Sequence, residues 1–229
     1  MAADSWDLDS FFREGYYHVP CALPAEEISA LRALTDTAFE NRESIDPKFV
    51  SFVGSTFVLR RGAEYDPALA ALIEREPFHS LAAAALGTTP AFNALNVIRN
   101  EPGQAISNWH VDDTVELPLP PDIPRYDARI KLPVFWLTVQ LALSDIPDDA
   151  HGPTQFVPGS HYSGRKPVQE SPEFEGRGPV SVYCQAGDAY LTNHQCWHRG
   201  APNLSENTRY VLQLQYAARW ADRRFRGVA

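Results

Sequence analysis

Basic residues are in short supply: 20 lysines and arginines stand against 29 aspartates and glutamates in 229 residues, a formal net charge of -9. This balance argues against nucleic acid and anionic membrane as partners. It also weighs against a substrate with several phosphates, such as a coenzyme A thioester. Long hydrophobic runs are missing. No stretch of about 18 apolar residues occurs, so no transmembrane helix is expected. The acidic start, Met-Ala-Ala-Asp-Ser-Trp-Asp, has no basic stretch before an apolar core and does not read as a secretory signal. Cysteine is scarce: Cys21, Cys184 and Cys196 are an odd number with no paired short spacing. That excludes a disulfide framework and fits reduced thiols in a cytoplasmic protein. Repeats, low-complexity tracts and linkers are also lacking, which points to one domain over residues 1–229.

What is present divides into two regions. Residues 1–90 read as a helical flank. Gly15 separates a short helix from the extended Tyr16-Tyr17-His18-Val19, and Pro24-Ala25-Glu26-Glu27 opens a helix running to Asn41, with acids facing the positive end of the dipole. Two shorter helices are expected over 67–73 and 77–86, the second stopped by Gly87. Residues 91–220 read as strands: 91–98, 134–143, 154–157, 180–184, 189–192 and 209–217, bounded by Pro, Gly, Asn or Asp. Short strands joined by loops predict a closed antiparallel sandwich, a jelly roll, so the fold class is mainly β with helices packed on it. A proline-rich loop over 113–131 is long enough to be either a lid or a surface connection. Its Asp113, Glu116, Asp122 and Asp127 point weakly to a cationic or polar substrate.

Chemistry enters with His110-Val111-Asp112, followed far downstream by His198 and Arg209. Residues two apart on a strand share a face, so His110 and Asp112 are expected to project together, with Asp113 opposite. Two imidazoles and one carboxylate suit a ferrous ion that keeps positions open for other ligands. Four further segments follow in order: Gly152-Pro153-Thr154, Pro158-Gly159-Ser160-His161, Gly187-Asp188, and Trp197-His198-Arg199-Gly200 with Asn203 and Ser205 behind it. In combination and order these resemble the phytanoyl-CoA dioxygenase family of iron(II)- and 2-oxoglutarate-dependent oxygenases, over nearly the whole chain.

The resemblance implies that His110, Asp112 and His198 ligate Fe(II), and that Arg209 grips the distal carboxylate of the cosubstrate 2-oxoglutarate, with O2 as the oxidant. Thr138 and Gln140, polar and on one face of a central strand, are candidates for binding the cosubstrate. The implied reaction is hydroxylation of an unactivated C–H bond in a small metabolite or natural-product intermediate, with release of succinate and CO2. Because Asp112 is a carboxylate, the sequence looks like a hydroxylase and not a halogenase; desaturation, epoxidation and ring closure stay open. The alternative is a non-redox, metal-dependent enzyme of the cupin type, an isomerase or hydrolase, which has no need of Arg209. The remaining histidines (His18, His79, His151, His161, His194) are assigned structural, supporting or solvent roles. Asn93 and Asn96 cannot share a face, so one of them is a candidate for touching cosubstrate or substrate; Arg60 and Arg61 could reach a substrate acid, but a solvated pair is the favoured reading.

Overall fold

The computed structural model describes residues 6–104 and 108–221. Its helices are α1 (Asp9–Glu14), α2 (Ala25–Glu40), α3 (Gly62–Tyr65), α4 (Pro67–Ala70) and α5 (Phe78–Leu86). Its strands are β1 (Tyr16–Val19), β2 (Val50–Val53), β3 (Thr56–Leu59), β4 (Pro90–Asn100), β5 (Trp136–Ala142), β6 (Thr154–Phe156), β7 (Val180–Val182), β8 (Ala189–Asn193), β9 (His198–Gly200) and β10 (Arg209–Ala218). Seven strands form one antiparallel sheet in the order β1-β8-β5-β10-β4-β3-β2, and three form a smaller one, β7-β6-β9.

Helix α2 forms where expected. Pro24 stands at its N-cap, Glu26 and Glu27 occupy the first turn, and Ile28, Leu31, Thr35 and Ala38 recur at helical spacing on the buried face. The buried Thr35 hydroxyl donates to the Leu31 carbonyl at 2.8 Å, so it costs no unpaired donor. Helix α5 buries Phe78, Leu81, Ala82, Ala85 and Leu86 and stops at Gly87, whose φ of 65° is left-handed.

Strand alternation sorts the large sheet into two unlike faces. Leu95 and Val97 of β4, Val139 and Leu141 of β5, Leu212 and Leu214 of β10, and Phe57 and Leu59 of β3 join the helices in one core. Full burial of each such side chain is worth about 1.5–3 kcal/mol. Their sequence neighbours Asn96, Gln140 and Gln213, and Arg209 at the start of β10, line the cavity toward the small sheet instead. Gln213 lies opposite both Asn96 and Gln140, so three amides form one row across β4, β10 and β5.

Two sequence expectations change. First, the first ninety residues are not purely helical: β2 and β3 form a hairpin on the edge of the large sheet. Its turn, Gly54-Ser55, lies between two β-branched and aromatic runs and is a hairpin signal, masked by the helical periodicity around it. Second, His110-Val111-Asp112 belongs to no regular strand. It is an irregular segment in which His110 makes a single bridge to His198.

Candidate active site

That bridge assembles the site. The His110 N–H donates to the His198 carbonyl and the His198 N–H to the His110 carbonyl, both at 3.0 Å, while the Asp112 N–H donates to the His194 carbonyl at 3.0 Å. Pairing against the 194–198 segment therefore places His110 and Asp112 on one side, the task assigned above to strand alternation. The two imidazole centroids lie 4.3 Å apart. Asp112 Oδ1 is 3.4 Å from His110 Nε2 and 3.2 Å from His198 Nε2, and the three candidate ligand atoms lie within 4.8 Å of one another.

Each imidazole is held by its other nitrogen. His110 Nδ1 lies 2.8 Å from the Asn108 carbonyl, and His198 Nδ1 lies 2.9 Å from the Cys196 carbonyl. A carbonyl only accepts, so each Nδ1 donates and each Nε2 is turned toward the third side chain. Burial alone would raise the Asp112 carboxyl, yet the two imidazoles outweigh it and hold the group well below the carboxylate range. Burial lowers the His198 imidazole, and Asp112 more than offsets this, so His198 is raised. A pocket that turns one carboxylate oxygen and two Nε2 lone pairs toward a common point fits a divalent ion, with two nitrogens and one oxygen as donors on one side.

Arg209 is 4% exposed. Its Nη2 donates to Thr154 Oγ1 at 3.4 Å, whereas Nε and Nη1 have no acceptor. Burial lowers the guanidinium, with Tyr190 acting against it. Buried guanidinium donors left open are costly unless an anion meets them, and two parallel N–H groups match a carboxylate. Around Arg209 runs a buried polar chain: Thr154 Oγ1 to the Tyr190 hydroxyl at 2.8 Å, Tyr190 to Gln140 Oε1 at 3.1 Å, and Gln140 Nε2 to Thr192 Oγ1 at 3.1 Å. Burial pushes the Tyr190 hydroxyl up to about 12, so it stays a protonated donor.

His110, Asp112, His198, Arg209 and Gln140 line one cavity of about 350 Å³ between the sheets. Thr138 is buried on β5 and does not line it. Asn96 lines it and Asn93 does not. Thr154 and Gln213 belong to the wall too, and so do Ser51, Val53, Val58 and Arg60 from the β2–β3 hairpin. Sequence reasoning gave no cavity role to Thr154, Gln213, Ser51, Val53 or Val58, and favoured a solvated one for Arg60. Gln213 was within reach, being two strand periods from Arg209, but the hairpin residues needed the hairpin.

The supporting motifs act on backbone. Gly152 has φ 66°, and a Cβ there would meet the Ala201 carbonyl and the Asn203 N–H at 3.0 Å, so only glycine lets the chain turn into β6. Ser160 Oγ accepts from the Trp197 N–H at 2.8 Å, directly before His198. Buried Asn203 donates to the carbonyls of Asn100 and Asn207, which ties down the connection between His198 and Arg209. His161 reaches the Phe12 carbonyl at 3.0 Å and fastens α1; burial lowers it to about 4, keeping it neutral. His194 lies in a turn, not on a strand with His198, and its Nε2 is 3.4 Å from Glu116 Oε1, both side chains almost wholly buried.

No described residue of the 113–131 loop lines the cavity. The loop is strapped down. Gln195 accepts from the Glu116 N–H and donates to the Thr114 carbonyl, and the Arg165 guanidinium donates to the carbonyls of Pro120, Ile123 and Pro124.

A second cluster, His18 with Cys184 and Asp188, is built differently. Asp188 already accepts from the Cys21 and Gln185 N–H groups, and burial pushes the Cys184 thiol up to about 12, which disfavours the thiolate a metal needs.

The phytanoyl-CoA dioxygenase (PhyH) family model matches residues 11–211. Among solved structures the fold is similar to HygX from Streptomyces hygroscopicus with nickel, 2-oxoglutarate and hygromycin B bound (17% identity, covering 92% of this chain and 85% of HygX, TM-score 0.72). It is also similar to SnoK, a non-heme alpha ketoglutarate dependent carbocyclase from nogalamycin biosynthesis (19%, 95% and 86%, TM-score 0.69). A third likeness is to the epimerase SnoN in complex with Fe3+, alpha ketoglutarate and nogalamycin RO (22%, 91% and 80%, TM-score 0.67). The chain belongs to the phytanoyl-CoA dioxygenase family, and so to the Fe(II)- and 2-oxoglutarate-dependent oxygenases.

Proposed function

We propose that His110, Asp112 and His198 hold the ferrous ion, that Arg209 binds the distal carboxylate of 2-oxoglutarate, and that the enzyme hydroxylates a small natural-product intermediate. The observation that carries this is one cavity holding both a three-donor cluster with its Nε2 atoms presented and a buried guanidinium with open donors. Bound iron and cosubstrate supply the power to remove hydrogen from a C–H bond, with O2 consumed and succinate and CO2 released. Everything else is positioning.

The Asn108 and Cys196 carbonyls keep the imidazoles aimed. Thr154 steadies Arg209, and Tyr190 in turn steadies Thr154. Asn96 and Gln213 offer amide donors and acceptors to polar substituents of the substrate, while Val53, Val58 and Ile98 exclude water beside it. Relatives of the same fold include an epimerase and a carbocyclase, so the pose of the substrate against this wall decides the outcome after hydrogen removal. The non-redox cupin-type reading has no use for the open donors of Arg209. No described helix is long and apolar enough to cross a membrane, and the three free cysteines support a reducing, cytoplasmic setting.

The test is anaerobic addition of ferrous ion and 2-oxoglutarate. A visible charge-transfer band, followed by succinate release in air when candidate metabolites are added, is the expected result. A colourless protein that binds zinc tightly and releases no succinate would reject the reading.

A further inference from the structure

The β2–β3 hairpin brings Arg60 to the cavity wall beside Ser51, Val53 and Val58. Its neighbour Arg61 points elsewhere and is committed to Glu64 Oε1 by bonds of 2.9 and 2.6 Å. Arg60 is half-buried, and among the described residues no carboxylate, carbonyl or aromatic ring engages its guanidinium. In a chain with a net charge of -9, a cation left open on a cavity wall stands out. The sequence left two roles open for the Arg60–Arg61 pair, and the structure separates them: Arg61 is bound to Glu64 and Arg60 alone reaches the cavity.

Charge balance makes the position informative, and this step rests on the function proposed above. Among the described residues lining the cavity, Asp112 is the one acidic side chain, and Arg209 and Arg60 are the two guanidinium groups. A divalent ion offsets Asp112 with one charge over, and a 2-oxoglutarate dianion takes up that charge and Arg209. What is left over is the single positive charge of Arg60. Arg209 suits the cosubstrate, because it is fully buried with donors that only a desolvated anion would satisfy. Arg60 stands toward solvent, where an incoming substrate meets it. On the same wall Val58, two residues from Arg60, pairs with Ile98, and with Val53 these give an apolar strip suited to the body of a small molecule.

We propose that Arg60 is the specificity residue for the primary substrate, and that this substrate is a small metabolite carrying one carboxylate, gripped by the Arg60 guanidinium while its apolar body lies on Val53, Val58 and Ile98. A planar guanidinium reads a carboxylate bidentately, and a neutral amide of the same shape loses the charge-assisted part of that bond. A lone half-buried cation also argues against a substrate with several phosphates.

The experiment uses the holoenzyme under saturating ferrous ion and 2-oxoglutarate without oxygen. It is titrated with matched acid and primary amide pairs, 3-phenylpropionate against 3-phenylpropionamide and hexanoate against hexanamide, while the visible band is followed. Acids are expected to perturb the band at concentrations about tenfold lower than their amides, the size of one charge-assisted hydrogen bond. The preference should shrink with added salt, because the guanidinium is partly exposed. Arg60→Gln should erase it and Arg60→Lys restore part of it, with 2-oxoglutarate affinity held in both. Equal responses to acid and amide, including none to either, overturn the proposal, and so does a preference that survives in Arg60→Gln. Weakened 2-oxoglutarate binding in Arg60→Gln overturns it too, by assigning the cation to the cosubstrate. Failure of the band to form in the parent enzyme is a separate result that removes the function proposed above and this inference with it.

Discussion

On one face of the seven-stranded sheet, Leu95, Val97, Val139, Leu141, Leu212 and Leu214 pack against the helices. On the other face, one residue away along the same strands, stand Asn96, Gln140 and Gln213, with Arg209 at the start of β10. The two faces share a backbone and differ in what they cost. The outer face is apolar and contributes stability through burial. The inner face carries amides and a buried guanidinium that need partners, and two of the guanidinium nitrogens have none. Stability and chemistry are thus separated by single steps in sequence, and substitutions on the two faces should fail in different ways.

The largest effect is expected on the chemical side. His198→Ala should abolish metabolite-stimulated succinate release while the far-ultraviolet circular dichroism keeps its form; turnover within tenfold of the parent would break the assignment. Phe57→Ala, on the outer face of β3, should cost about 3–5 kcal/mol of stability in denaturant titrations and leave cosubstrate affinity intact in the folded fraction. Arg209→Ala should do the reverse, weakening 2-oxoglutarate binding by about 2–5 kcal/mol with little loss of stability. Unchanged cosubstrate binding there would collapse the contrast between the faces.

A smaller effect sharpens the comparison from outside the cavity. His161 is lowered from 6.5 to about 4 by burial, so the folded protein holds it neutral while the unfolded chain protonates it below 6.5. Stability from this group is whole above pH 6.5 and drains away as pH falls toward 4, by roughly 3 kcal/mol in all. His161→Gln should flatten the difference in unfolding midpoint between pH 7 and pH 4.5 relative to the parent. An identical slope in both proteins would show that other groups set it.

Much of this was legible in the sequence because it depends on order and period. The strands of 91–220 announce themselves by β-branched runs between turn residues, and the order His110, Asp112, His198, Arg209 needs no coordinates to be recognised. The alternation argument reached the right pairing of His110 with Asp112 by the wrong route, since that segment is irregular and a bridge to His198 does the aligning. The hairpin was missed because short strands of four residues carry little periodicity and sat among helices. The 113–131 loop looked like either a lid or a connection, and only the distant Arg165 and Gln195 decide that it is strapped down.

Sequence alone determined the family and the residue types that meet in the three-donor cluster, because motif order and side-chain chemistry are read directly from the chain. Tertiary structure decided which polar residues face the cavity: it admitted Thr154, Gln213, Asn96 and Arg60 to the wall and left Thr138 out. The reason is physical. A side chain's period fixes its face, but which face meets a cavity depends on what packs opposite, and that is settled only when the small sheet and the β2–β3 hairpin close over the large one.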